Sequence, residues 1–365
     1  MIDSNMVCPQ VEDEAATAAI VQQVAANARK LPAKTIAVIG GGVSSEHDVS
    51  LASSEGTRAA AAALGHRVHF FLIDSDGEWS VDGVPGTTAA WEKLRSCDLA
   101  IPMVHGAGGE DGVLQGFLET VGVSYFGSGV LSSAVGLDKQ VTKLVAHTVG
   151  VRTAPGLTID ATLRDQLAET PDQAENLLKS AKIELPVFVK PLRGGSSFGI
   201  SKVTEQLNLA DAVKLAAHGP VEQDVLIEPE VRGKEVDVGV LELPDCSVIV
   251  GPCLQVLADS KEEFFSTEAK YSSTETRFLV PAPIGDEASA AIRAQAKAVF
   301  TALGCRGLAR VDFFVDDDGT ATLNEINTLP GFTSHSQVPR IWAAAGVNYE
   351  GLVAIIIETA LARTH

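Results

Sequence analysis

Two short stretches constrain this chain more than any others: Arg310-Val311-Asp312-Phe313-Phe314 and Leu323-Asn324-Glu325-Ile326-Asn327, on either side of the acidic turn Asp316-Asp317-Asp318-Gly319. Apolar and polar residues alternate in both, the pattern of strands whose two faces differ, and the turn closes them into a hairpin. Side chains two apart on a strand share a face, so Glu325 and Asn327 point the same way and the hairpin brings Asp312 alongside. Asp, Glu and Asn are hard oxygen donors. Such a set suits Mg²⁺, which keeps positions for substrate phosphates. A nucleotide-dependent enzyme is expected, with its metals at this hairpin.

The rest of the composition narrows the class. The chain has 365 residues, enough for two or three domains, and its 45% apolar and 21% charged content is that of a globular protein. A net charge of −19 disfavours nucleic acid or an anionic membrane as partner, because phosphate backbones require clustered Lys and Arg. An anionic substrate must then meet locally placed bases. Five scattered cysteines without a Cys-x-x-Cys predict a reduced, cytoplasmic setting in which the thiols serve as small hydrophobes. The polar, acidic N-terminus lacks a secretory apolar core, and Leu352 to Ile357 is too short to span a bilayer.

Residues 1–33 read as an extension, with a weak helix over 15–30 and either disorder or a packing arm as its state. From Thr35 strands and helices alternate: strands over 35–39, 67–73 and 99–104, helices over 49–64 and 113–121. That order predicts a parallel, doubly wound first domain over 34–138. A helix is expected over 139–150, then strands over 186–190, 200–203, 225–228, 235–243 and 247–256, and an amphipathic helix over 288–303. Residues 259–277 are polar and long for a connection, the kind of loop that is functional or disordered. The expected units are 139–225 and 226–365, the second with the loop and the metal hairpin.

Three glycine-rich segments add chemistry. Gly194-Gly195-Ser196-Ser197-Phe198-Gly199 lies between two strands, whereas a Walker loop must open a helix. It reads as a flap whose backbone N–H groups and Ser196 and Ser197 hydroxyls reach phosphate oxygens, with Lys190 just before it, or as an ordinary flexible hairpin. Gly40-Gly41-Gly42-Val43-Ser44-Ser45-Glu46 follows a strand, but Ser45 stands where a dinucleotide fingerprint needs a third glycine. This counts against a nicotinamide-dependent oxidoreductase. Glu46 itself fits a ligand role or a helix-start carboxylate favoured by the dipole. His105 opens a third glycine-rich loop at a strand's carboxyl end, where open α/β sheets bind ligands. Glu268-Ala269-Lys270-Tyr271 lies in the long loop, and Gly331 to Gln337 follows the metal strand.

In their order, GGVSSEHDVS, HGAGGEDGVLQG, VKPLRGGSSFGISKV, EAKY, GLARVDFF and NEINTLPGFTSHS resemble the D-alanine–D-alanine ligase family, over roughly residues 34 to 362. The resemblance implies the ATP-grasp fold, an α/β (α+β) architecture of three domains, with ATP between two sheets and the doubly wound domain at the N-terminus. It implies ATP and two Mg²⁺ (or Mn²⁺) as cofactors, D-alanine as substrate, peptidoglycan precursor synthesis as purpose, and a homodimer. Lys139 and Lys190 would hold ATP phosphates, with Ser197 and Asn324 nearby. Glu228, the backbone of Val231, and Glu235 would take adenine and ribose. Asp312, Glu325 and Asn327 would coordinate the metals, and Lys270 would reach the γ-phosphate from a closed lid. Glu46 would bind the first substrate's ammonium and form a triad with Ser196 and Tyr271. His105 would assist near its carboxylate. Arg310 and the Gly331 amide would stabilise the oxyanion, and Ser336 would bind the second carboxylate.

Two departures bear on the second substrate. Phe264-Phe265-Ser266-Thr267 precedes EAKY where many members carry Tyr and Asp, and Gln337 follows Ser336 where an apolar residue is frequent. A polar Gln337 fits D-serine as the alternative second substrate, with D-lactate a weaker one, since Lys270-Tyr271 favours an amine nucleophile.

Overall fold

In the computed structural model, residues 13–170, 173–195, 199–218, 223–257 and 277–363 are described. The first helix, α1 (Glu14–Ala28), precedes β1 (Thr35–Gly41), α2 (His47–Ala63) and β2 (Arg67–Ile73). A hairpin of β3 (Trp79–Val81) and β4 (Val84–Pro85), α3 (Thr87–Leu94) and β5 (Leu99–Pro102) follow. The strand order is β4-β3-β2-β1-β5, with β2, β1 and β5 parallel and the hairpin antiparallel at the edge. The sheet is therefore mixed where the alternation of elements predicts a parallel one. The edge hairpin turns at Asp82-Gly83, both at positive φ, the conformation a two-residue loop requires. β1 is covered on both faces. Ile36 and Val38 belong to one apolar core and Ala37 and Ile39 to another, so the parallel part has the doubly wound character.

Next come α4 (Val113–Val121), α5 (Val130–Leu137) and α6 (Lys139–Thr148), then β6 (Leu157–Ile159), α7 (Ala161–Glu169), α8 (Gln173–Ser180), β7 (Val187–Pro191), β8 (Ser201–Val203), α9 (Leu209–Ala217) and β9 (Val225–Pro229). These strands form an antiparallel sheet, β6-β9-β7-β8. It runs through residues 157–229, so β9 lies on both sides of the division expected at 225/226. The last part holds β10 (Lys234–Glu242), β11 (Val248–Leu257), β12 (Arg277–Leu279), α10 (Asp286–Ala302), β13 (Leu308–Val315), β14 (Ala321–Asn327), α11 (Gln337–Ala344) and α12 (Tyr349–Ala362). Its sheet, β12-β11-β10-β13-β14, is antiparallel throughout. α11 sits close on it because Gly251 leaves room: a Cβ there would stand 2.5 Å from Ile341 Cγ2.

In the N-terminal segment the expected helix forms, and of the two expected states it takes the packing arm. Over 14–28 it is a regular helix whose Thr17, Val21, Ala25 and Ala28 are buried. Val21 and Ala25 join a core shared with β1, β5, β10, α11 and α12. Arg293 on α10 donates to Thr17 Oγ1 at 2.9 Å. Small residues at helical spacing let α1 lie close against α12, so it is an integral part of the core. Val21→Asp places an unpaired charge there and is expected to cost about 3–5 kcal/mol. A urea titration checks this, and a midpoint at the wild-type value would mark α1 as peripheral.

Among the described residues no single helix is long and apolar enough to cross a membrane; α11 and α12 are bent 100° apart. Cys97, Cys246, Cys253 and Cys305 are free thiols, with Cys253 and Cys305 buried in the core.

Candidate active site

The expected hairpin forms, and its register sets the chemistry. Asp312 pairs across with Glu325 and Arg310 with Asn327, so all four share one face. The register shifts between Asp312 and Phe313, which pairs with Leu323 and leaves Asn324 as an extra residue. Such a bulge re-aims a side chain, and Asn324 Oδ1 takes a hydrogen bond from Lys190 Nζ at 3.4 Å.

Arg310 is the electrostatic centre. It donates through Nε and Nη2 to the two oxygens of Asp312, both at 2.7 Å, and Asp237 on β10 lies 3.9 Å from Nε. Burial works against the guanidinium's charge, but Asp312, then Asp237 and Glu325, outweigh it and raise its pKa well above the ordinary value. Asp312 thus lies beneath Arg310, whereas Glu325 and Asn327 line the cavity above. Asn327 Oδ1 accepts the Leu329 N–H at 3.0 Å and keeps a second lone pair.

Two cavities meet at this edge. One, of about 1230 Å³, is lined by Glu46, His105, Arg310, Asn327, Gly331, Ser336 and Gln337. The other, of about 550 Å³ between the two antiparallel sheets, is lined by Lys190, Glu228, Val231, Glu235 and Asn324. Lys139, Glu325, Gly194 and Gly195 border both. Lys139 Nζ donates to Gly194 O at 2.6 Å and stands 3.5 Å from Glu325 Oε2, so it bridges β14 and the glycine loop.

Several side chains differ in setting from their expected contacts. Glu46 occupies the N-cap of α2 yet makes no cap bond; its buried carboxylate lies against Gly106 and Gly195. Only glycine fits at 106, where φ is +75° and a Cβ would stand 2.8 Å from Glu46 Oε2. His105 has both ring nitrogens engaged by protein atoms, Leu329 O and Ser53 Oγ, each at 2.9 Å. Ser336 Oγ takes the Thr333 N–H at 3.1 Å. Glu228 spends its two oxygens on Lys143 and Lys190 rather than facing the cavity alone. Ser196, Ser197, Lys270 and Tyr271 lie outside the described residues, as does the loop over 259–276.

Lys143 was not singled out from the sequence. It sits one helical turn after Lys139 on α6, buried, donating to Ala154 O at 2.9 Å as well as pairing with Glu228. Burial, then the neighbouring ammoniums of Lys190 and Lys139, hold its pKa down at about 7. The i, i+4 lysine pair behind Asp138 was the available signal. Lys143→Met should leave Glu228 and Lys190 less well fixed and raise the KM for ATP on the order of tenfold. An ATP titration at saturating amino acid reads this, and an unchanged KM would dismiss the role.

A family described as D-ala D-ala ligase C-terminus matches residues 147–358, and its counterpart, D-ala D-ala ligase N-terminus, matches residues 82–128. The chain belongs to the D-alanine–D-alanine ligase family. D-alanine–D-alanine ligases of Rhodococcus opacus (strain B4) and Mycolicibacterium gilvum (strain PYR-GCK) are 40% and 38% identical over 373 and 369 residues, covering 91% and 90% of this chain and 98% and 97% of those proteins. The solved structure of VanG D-Ala:D-Ser ligase from Enterococcus faecalis superposes with a TM-score of 0.75 at 30% identity, over 90% of this chain and all of that one. The D-alanine–D-alanine ligase from Coxiella burnetii gives 0.72 at 26%, over 91% and 94%. The two facing antiparallel sheets are those of the ATP-grasp fold that these ligases share.

Proposed function

We propose that this chain joins two D-alanines at the expense of ATP, through a D-alanyl phosphate, for peptidoglycan precursors made in the cytoplasm. The observation that carries the reading is the meeting of the two cavities at Lys139 and Glu325, with a lysine-rich side for phosphates and a side bounded by Glu46 and Arg310 for amino acids.

Lys139 and Lys190 receive the phosphates, Val231 and Glu235 the adenosine, and Glu228 fixes Lys190 beside them. Asp312, Glu325 and Asn327 fit Mg²⁺: two carboxylates and an amide on one face. Among the described residues no group of three or more His, Cys, Asp and Glu could by itself hold a metal ion. Bound there, two Mg²⁺ would neutralise charge on the transferring phosphoryl group. Glu46 holds the first ammonium. A carboxylate oxygen of that D-alanine attacks the γ-phosphorus and ADP leaves. The second amine then attacks the acyl carbon, and phosphate leaves as the amine loses a proton. Arg310, with N–H donors beyond those given to Asp312, and the Gly331 amide receive the oxyanion. Ser336 takes the second carboxylate. By resemblance alone, Ser196 and Tyr271 complete the Glu46 triad, Ser197 and Lys270 contact phosphate, and the 259–277 lid excludes water.

Purified protein with ATP, Mg²⁺ and D-alanine should form the dipeptide and release one phosphate for each. No dipeptide at any D-alanine concentration would defeat the reading. The alternative is D-serine as second substrate, favoured by the polar Gln337 on the cavity wall and by the likeness to VanG. A much larger kcat/KM for D-serine than for D-alanine at the second position would establish it.

A further inference from the structure

We propose that Ser53, which touches neither cavity's expected ligands, is a positioning residue for the ligation step: through His105 and Phe332 it fixes the Gly331 amide. Three serines of the segment after β1 hold His105. Ser44 Oγ donates to its C=O at 2.7 Å, its N–H donates to Ser50 Oγ at 2.9 Å, and Ser53 Oγ lies 2.9 Å from its Nε2. The other ring nitrogen, Nδ1, lies 2.9 Å from Leu329 O. A carbonyl only accepts, so Nδ1 carries the proton, and Glu110 at 3.7 Å favours it there. In the neutral ring Nε2 then accepts from the Ser53 hydroxyl. Ser53 Oγ in turn accepts the Phe332 N–H at 3.1 Å.

The bonds close a ring across the loop. His105 holds Leu329 on one side of Gly331 and Ser53 holds Phe332 on the other, while Tyr349 donates to Phe332 O at 2.7 Å. Ser53 is fully buried and His105 is 2% exposed, so no water replaces a lost partner. Without the Ser53 hydroxyl, Phe332 N–H and His105 Nε2 lose their shared partner and the loop loses one anchor. Phosphoryl transfer to the first carboxylate does not use the Gly331 amide and continues. Amine attack on the acyl carbon slows, and D-alanyl phosphate lives longer. Water then competes at phosphorus, where the Gly331 amide plays no part: its oxygen bonds to phosphorus, the bond between phosphorus and the acyl oxygen breaks, and D-alanine and phosphate are released.

The inference rests on the proposed role of the Gly331 amide. It is tested by measuring phosphate and dipeptide together for wild type and Ser53→Ala with ATP, Mg²⁺ and D-alanine. Dipeptide turnover should fall about tenfold, less than removing an oxyanion donor outright causes. The KM for ATP should stay within twofold, and the ratio of phosphate to dipeptide should rise from one to well above it. A misfolded fraction lowers turnover without moving the ratio, so a ratio of one in the variant overturns the proposal. If Ser53→Ala does not fold, Tyr349→Phe, which removes the third tether on the same loop, should raise the ratio, and a ratio of one there overturns it equally. Wild type that forms no dipeptide overturns instead the reading beneath it.

Discussion

Replacing Arg310 by Met should lower ligation turnover by roughly a thousandfold and destabilise the fold by about 3–5 kcal/mol together. The two effects come from one geometry. The guanidinium is buried, bound bidentate to Asp312 and 3.9 Å from Asp237. Removing it leaves two carboxylates in the core without their cation, which is the costly way to break a buried pair. It also removes the N–H groups proposed for the oxyanion. Arg310→Lys separates the contributions. Lysine restores the charge and most of the stability, but it cannot reproduce the planar fork, so turnover should stay at least a hundredfold down. Thermal melts and steady-state rates on both variants check this. A lysine variant with wild-type turnover would assign Arg310 a purely structural role.

The hairpin of β13 and β14 was legible in the sequence because its information is local. Period-two alternation fixes the faces, and the acidic turn brings Asp312 opposite Glu325. What the alternation cannot reveal is the bulge at Asn324, which depends on both strands at once. The same distinction explains α4, whose helical spacing gave its bounds, and α1, whose helix was legible over 15–30 but whose buried face was not. Thr17, Val21, Ala25 and Ala28 are too small and too mild in polarity to mark a buried face. The close approach of α12, with α11 and Arg293 on α10 alongside, makes them core. The Asp82-Gly83 hairpin left a recognisable signal in Val81-Asp82-Gly83-Val84 that the reading of alternating strands and helices passed over. Buried charge is the hardest case. Lys143 and Glu228 are 85 positions apart in a chain where most Lys and Glu are solvated, and nothing local marks them as partners. His105 was legible as a ligand candidate, but its contact with Ser53, 52 positions away, is hidden for the same reason.

Glu325→Gln tests the metal face with the least disturbance to the fold. The two side chains have nearly the same shape, and Glu325 is only partly buried, so stability should change by less than about 1 kcal/mol. The charge is what changes. A carboxylate facing Asp312 across the hairpin becomes an amide, and the site loses one of the two anionic oxygen ligands proposed for Mg²⁺. Turnover at ordinary Mg²⁺ should fall on the order of a hundredfold or more, with a higher Mg²⁺ concentration needed for half-activation. Lys139 offers a competing account, because its Nζ lies 3.5 Å from Glu325 and would lose that partner too. The two separate on Mg²⁺ titration. Loss of a metal ligand shifts the half-activation concentration and is partly offset by added Mg²⁺. A displaced Lys139 raises the KM for ATP at every Mg²⁺ concentration and is not offset. Equilibrium dialysis of Mg²⁺ in the presence of ADP gives the same discrimination without turnover, since only the loss of a ligand weakens the bound metal. Normal activity and unchanged Mg²⁺ binding in Glu325→Gln would remove this residue from the metal set and leave Asp312, held beneath Arg310, as an insufficient site by itself.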